Sequence, residues 1–188
     1  RPDGTVWSAG SDVSLVDGRM TSARRRPQPP ERRAEPWLSG ACLCLSLDLW
    51  QRAGGFADGY FLYWEDVDLS FRVRAAGGEL AVLDDVSVTH AEGGTQQTGA
   101  HSAATAKSEG YYYFNIRNRM LFAALHLDDG DLAHWLRTSP AVAREILLQG
   151  GRRQFLRPVV PLRAALRGVR DGRRIAKAEL GARSEGKR

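Results

Sequence analysis

Cysteine is nearly absent: Cys42 and Cys44 are the only two in 188 residues. Two sulfurs without further partners exclude a CxxC-type zinc site and the disulfide framework of a small secreted domain. Long apolar runs are missing too. The best candidate, Met120 to Leu125, is bounded by Arg119 and His126, well short of the roughly 20 residues that a membrane-spanning helix needs. The opening residues Arg1-Pro2-Asp3-Gly4 include neither an initiator Met nor the apolar region of an export signal, so the expectation is a cytoplasmic location. There is no aromatic-basic pattern of a nucleic-acid module, and no internal repeat.

What is present is enough to bury a core, with 43% apolar and 26% charged residues. The formal net charge of +5 is unevenly spread. Residues 152–188 hold 12 Lys+Arg against 3 Asp+Glu, net +9, and residues 1–151 hold 15 against 19, net −4. The basic pI therefore belongs to the tail, and no nucleic-acid partner is expected for the acidic body.

Local patterns then divide the chain. Thr5 to Ala9 reads as a short strand, and Arg24 to Arg33, rich in Pro and Arg, reads as an exposed loop. Ala41 to Leu47 alternates around Leu43, Leu45 and Leu47 as a strand, with Cys42 and Cys44 read as small buried hydrophobes. Asp48 stands where a helix N-cap would, and Gly54-Gly55 ends that helix. Glu65 to Ala76 is predicted as a helix: acidic residues open it, Arg72 and Arg74 lie near its end, and Gly77-Gly78 stops it. Glu79 to Leu83 and Val86 to His90 read as paired strands, followed by a loop from Glu92 to Thr105. Lys107 to Leu127, Asp131 to Leu148 and Arg152 to Leu180 read as helices, the second interrupted at Pro140. The order predicts an α/β layer fold with terminal helices.

The most informative stretch runs from Gly54 to His90: GGFADGYFLYWEDVDLSFRVRAAGGELAVLDDVSVTH. A Gly-Gly-Phe turn, the aromatic run Tyr60-Phe61-Leu62-Tyr63-Trp64 and the helix start Glu65-Asp66-Val67-Asp68-Leu69 follow one another. Trp37-Leu38-Ser39-Gly40-Ala41 precedes them, and Arg117-Asn118 follows. This ordered set resembles the C-terminal half of family 2 inverting glycosyltransferases of the GT-A fold, in their rhamnosyltransferase-like branch. The pattern extends over about residues 1 to 175. It implies an α/β chain corresponding to the C-terminal portion of a GT-A, Rossmann-like fold, followed by C-terminal helices. Residues 1–127 would be the acceptor-side part of the catalytic domain, with residues 128–188 a helical extension.

By the resemblance, Asp66 matches the base that takes the acceptor's hydroxyl proton, with Glu65 beside it in the catalytic pair. A base must be ionised and within hydrogen-bond reach, and a helix N-terminus favours the ionised form. Glu65, Asp66 and Asp68 also suit plain helix capping. Trp37, Gly40, Trp64, Asp68, Arg117 and Asn118 are the candidate substrate-binding residues. Trp37 and Trp64 would offer ring faces to a sugar, and Phe56 and Phe61 are assigned to the core. His90 matches a ligand to Mn²⁺ or Mg²⁺, completed by an upstream Asp-x-Asp motif that is absent from this chain.

The sequence departs from the family where Ala57-Asp58 replaces the usual Asp-Glu, and where Gly78 replaces a common aromatic. The nucleotide-binding half with its Asp-x-Asp is also missing. The implied function is hexosyl transfer by a longer parent, from a nucleotide sugar to a carbohydrate or polyprenyl-linked acceptor in envelope polysaccharide synthesis. This chain alone is expected to be inactive. The alternative is a noncatalytic carbohydrate-binding or regulatory remnant. In residues 152–188, Arg alternates with apolar residues, which reads either as peripheral contact with an anionic membrane at the inner face or as a packed helix with a solvated Arg face.

Overall fold

The computed structural model describes residues 8–25, 33–83, 85–89, 107–151, 155 and 158–186. They fall into two units, residues 8–60 with 65–89, and residues 61–64 with 107–186.

The first unit is built on an antiparallel sheet of order β2-β1-β3, with β1 Ser11–Ser14, β2 Met20–Ser22 and β3 Ala34–Trp37. Val13, fully buried, sits opposite Met20 on one side and Glu35 on the other. Pro36 lies on an edge strand, where its missing N–H costs the ladder least. The sequence reading placed a strand at Thr5 to Ala9. Residues 5–7 lie outside the described residues, and the strand begins at Ser11 instead. Residues 26–32 of the Pro-rich stretch are likewise outside them; Arg24, Arg25 and Arg33 are exposed, the first two in a 3₁₀ turn, Ala23–Arg25, where a loop was expected.

Ala41 to Leu47 is not a strand. Its alternation is real but one-sided. Leu43 and Leu45 pack half-buried against Ala53, Leu69 and Val73, while no strand among the described residues offers them a ladder. The same parity turns Cys42 and Cys44 outward, so both are exposed rather than buried. Helix α1, Leu47–Ala53, is capped by Ser46, whose hydroxyl accepts the Leu49 N–H at 3.2 Å. Asp48 is thus a first-turn residue paired with Arg52, four residues on, and not the cap. Gly54 ends the helix in the left-handed region at φ 77°, as its position predicted.

Helix α2, Glu65–Ala75, matches the predicted helix within one residue. At Gly78 a side chain would meet Val73 and Leu49 within 3 Å, which accounts for the missing aromatic there. Glu79 to Leu83 and Val86 to Thr89 form no ladder with any described residue, and Val82, Leu83, Val86 and Val88 are exposed. Their β-branched content favours strands only where a partner strand exists. Residue 84, His90 and the predicted loop at 92–105 lie outside the described residues.

The second unit contains α3 Glu109–His126, α4 Asp129–Leu148 and α5 Val159–Gly186. By packing, therefore, α3 lies with the two later helices. Ser108 caps α3 and Asp128 caps α4, three residues before the expected start at Asp131. Pro140 does not break α4. Leu136 O, the carbonyl that loses its bond to the missing N–H, accepts Ser139 Oγ at 3.0 Å and Arg173 Nη1 at 3.4 Å instead.

Helix α5 runs parallel to α3. Gly168 lies against Tyr113 and Ile116, and Gly172 against Arg117 and Met120. Arg183 reaches the last carbonyls of α3, at Ala124 and Leu127. The absence of side chains at Gly168 and Gly172 lets the two helices approach closely; a Cβ at residue 168 would stand 2.9 Å from Tyr113 O. No described helix is long and apolar enough to cross a membrane.

Candidate functional site

In the first unit, the chain leaving β3 is fastened along α2. Glu35 pairs with Arg74, Leu38 N–H donates to Ser70 Oγ at 3.1 Å, and Gly40 N–H donates to Asp66 Oδ2 at 3.1 Å. Residues 74, 70 and 66 are successive i−4 steps on one helix face, so three bonds carry residues 35–40 toward the α2 N-terminus. Ser70 Oγ in turn donates to Asp66 O at 2.7 Å. Ser70 was not among the expected site residues. Its signal was its place four residues after Asp66, on the same helix face.

The structure thus brings Gly40 and Asp66 together. The second oxygen of Asp66, Oδ1, accepts the Val67 N–H at 2.9 Å, so both carboxylate oxygens are oriented by backbone donors at a helix start. Burial raises the Asp66 pKa above its ordinary value against the opposing effect of the Gly40 and Val67 N–H groups. Glu65 is also raised, by burial first and then by the neighbouring Asp66 charge. Among the described residues, Glu65 Oε2 and Trp37 Nε1 are buried without a hydrogen-bond partner. Buried polar atoms left unpaired cost about 1–3 kcal/mol each.

Asp68 is placed differently. It is fully buried, forms an ion pair with Arg72 at 2.6 Å and accepts from Tyr60 Oη at 3.5 Å. Arg72 also donates to Ala53 O, tying α2 to the end of α1. These contacts make Asp68 an anchor of α2.

The second unit holds Trp64, Arg117 and Asn118. Trp64 is buried, with its ring centroid 5.3 Å from Phe122 and 6.3 Å from Trp135. It fills core space. Phe56 and Phe61, expected in the core, are 48% and 80% exposed. Asn118 is fully buried and donates from Nδ2 to Leu62 O at 2.8 Å and Tyr63 O at 2.9 Å, while its Oδ1 accepts from Arg117. The two residues that follow Leu62, Tyr63 and Trp64, have φ of 64° and 75°, the only positive-φ positions outside glycine among the described residues. Asn118 therefore clamps an aromatic segment in a left-handed conformation that costs roughly 1–2 kcal/mol per residue. The clamp lies within the second unit, whose segment 61–64 ends at Trp64. Among the described residues no three side chains of metal-ligating type gather, and His90 lies outside those residues.

No family model and no solved structure matches the chain. Two curated proteins do, each named N-acetylglucosaminyl-diphospho-decaprenol L-rhamnosyltransferase, from Mycobacterium tuberculosis strains CDC 1551 / Oshkosh and ATCC 25618 / H37Rv. Each is 34% identical over 124 residues, 57% of this chain and 40% of the relative. The matched stretch thus spans well under half the length of these relatives. This similarity bears out, for a partial chain, the resemblance to the rhamnosyltransferase-like branch of the family 2 glycosyltransferases.

Proposed function

We propose that this chain is the acceptor-side part of an inverting GT-A glycosyltransferase that moves a sugar from a nucleotide donor to a polyprenyl-linked carbohydrate in envelope polysaccharide synthesis. The relatives' name supports rhamnose as the sugar and a lipid diphosphate as the acceptor class. The observation that carries the reading is Asp66, whose two oxygens are aimed by Gly40 and Val67 N–H groups at the start of α2.

In this reading Asp66 removes the proton of the acceptor hydroxyl. The oxygen attacks the anomeric carbon from the face opposite the nucleotide, the bond from that carbon to the diphosphate breaks, and the nucleoside diphosphate leaves with configuration inverted. A raised pKa makes the carboxylate a stronger base once it is ionised. Gly40 leaves space over Asp66, because a Cβ there would lie 3.5 Å from Asp66 Cβ. Asp68 acts as a support of α2 by this reading.

A divalent metal would neutralise the diphosphate, with His90 as one ligand and carboxylates from outside these residues as others. No step above depends on it. The test is Asp66→Asn in a full-length protein carrying the donor half, assayed with polyprenyl-linked acceptor and nucleotide sugar. Transfer should fall by roughly 10²–10⁴ with donor affinity kept. Near-normal turnover would remove Asp66 from the role of base, and acceptor binding without any turnover in the unaltered protein would support the noncatalytic reading.

A further inference from the structure

Helix α5 has two opposed faces. Pro161, Ala164, Ala165, Gly168, Gly172 and Ala176 are buried on one side. On the other, a shallow groove is lined by Val159, Leu162, Arg163, Leu166, Arg167 and Arg170. The spacing of the second set, three or four residues at each step, keeps it on one stripe of a helix with 3.6 residues per turn. Val159, Leu162 and Leu166 are 73%, 41% and 69% exposed, although α5 has ample small residues for its packed side. No acidic residue occurs from Val159 to Arg170. Arg167 is partly engaged with Glu109 and the Tyr113 ring, and Arg170 pairs with the buried carboxylate of Asp171 while itself staying 74% exposed.

We infer that this stripe docks on the surface of an anionic phospholipid bilayer. The charge sign and the arrangement select that occupant. Leucines and a valine flanked by guanidinium groups can enter the headgroup boundary while each Arg stays level with lipid phosphates. An apolar protein groove would gain nothing from three cations, and a nucleic acid would gain little from three exposed aliphatic side chains. The sequence left open whether the basic tail is a lipid-facing or a packed helix. The structure packs one face of α5 and leaves the Arg-bearing face exposed. Deleting the tail is therefore a poor test, since it would also strip the cover from Tyr112 and Ile116.

The experiment uses the full 188-residue chain with vesicles of phosphatidylglycerol or of phosphatidylcholine, read by co-sedimentation. It compares the wild type with Arg163→Gln/Arg167→Gln/Arg170→Gln and with Leu162→Ser/Leu166→Ser, whose helicity is checked by circular dichroism. All five positions are exposed, so the fold should survive. The wild type should bind the anionic vesicles and ignore the neutral ones, with release at about 1 M salt, where the Debye length is roughly 3 Å. Each lost Arg should weaken binding roughly fivefold, about a hundredfold for the triple variant. The serine variant should also bind more weakly, because only a purely electrostatic contact would be indifferent to it. Equal binding by the folded variants, equal binding to neutral vesicles, or no binding by the wild type overturns the inference. So does a dimer in solution that the serine variant dissociates while vesicles are ignored. The assay reads lipid binding alone, so its failure would leave the glycosyl-transfer reading standing.

Discussion

Removing the Asn118 amide should destabilise the second unit. Asn118→Ala deletes two hydrogen bonds, to Leu62 O and Tyr63 O at 2.8 and 2.9 Å, in a fully buried position. At about 1 kcal/mol net for each bond, plus a penalty for carbonyls that water cannot reach, the loss is about 2–4 kcal/mol. The two left-handed residues it restrains hold a strain of similar size, roughly 2–4 kcal/mol together. Trp64, packed in the core beside Phe122, keeps the segment in place, so the strain is not released to offset the loss. In a chain of this length each kcal/mol shifts the melting temperature by roughly 2–4 °C, so a drop of about 5–15 °C is expected. Asn118→Asp gives the sharper test. It keeps the shape but replaces the two N–H donors by a carboxylate oxygen facing two carbonyls. It should be at least as unstable at neutral pH, and should recover in part when acid protonates the carboxylate and restores one donor. Thermal melts of the three proteins at neutral and acidic pH provide the measurement. A wild-type melting temperature for Asn118→Asp at neutral pH would refute the reasoning, because the amide would then be dispensable.

Three further outcomes are expected. Asp66 and Glu65 have raised pKa values, so their contribution to stability is present below the ordinary carboxylate range and is lost as pH rises through the folded-state values; Asp66→Asn should lose less over that window, and parallel pH–stability curves for the two proteins would contradict the burial argument. Gly168→Ala should destabilise by about 0.5–2 kcal/mol, since overpacking against Tyr113 O and Ile116 outweighs the helix propensity gained, whereas Gly181→Ala, with no atom within 4 Å, should gain up to about 1 kcal/mol; denaturant midpoints that move the same way for both would sink the close-packing account of α3 and α5. Cys42 and Cys44, both exposed, should each react with a thiol reagent in the folded chain at close to the rate of a free cysteine peptide, and protection until unfolding would show that the segment packs the other way.

Much of the candidate site was legible along the chain because its signals are local. The α2 start at Glu65, its acidic first turn and its Gly-rich end lie within fourteen residues, and helix periodicity and capping are short-range effects. The ordered motifs around it pointed to glycosyl transfer, and the similarity to rhamnosyltransferases agrees. The parity of Leu43 and Leu45 was legible as well. That it implied outward-facing cysteines followed from the same parity, and was missed because cysteine's usual burial was weighed above it.

What only the tertiary structure decided were the relations between distant residues. No local pattern says that Asn118 meets the carbonyls of Leu62 and Tyr63, because the contact spans more than fifty residues and depends on where α3 lies. Without that contact, Tyr63 and Trp64 give no sign of a left-handed backbone, since side-chain type alone argues against it. By sequence Asp66 was the candidate base and Asp68 a candidate substrate contact, and both suited helix capping. Two positions along a helix turn a side chain by about 200°, so one carboxylate points to Gly40 while the other is buried on Arg72 and Tyr60. Strands failed where composition was the only argument, since a ladder needs a partner that the segment itself does not contain. Sequence determines each residue's chemistry and the period of each segment; which carboxylate becomes the candidate base and which becomes an anchor depends on the side of α2 from which its partners arrive.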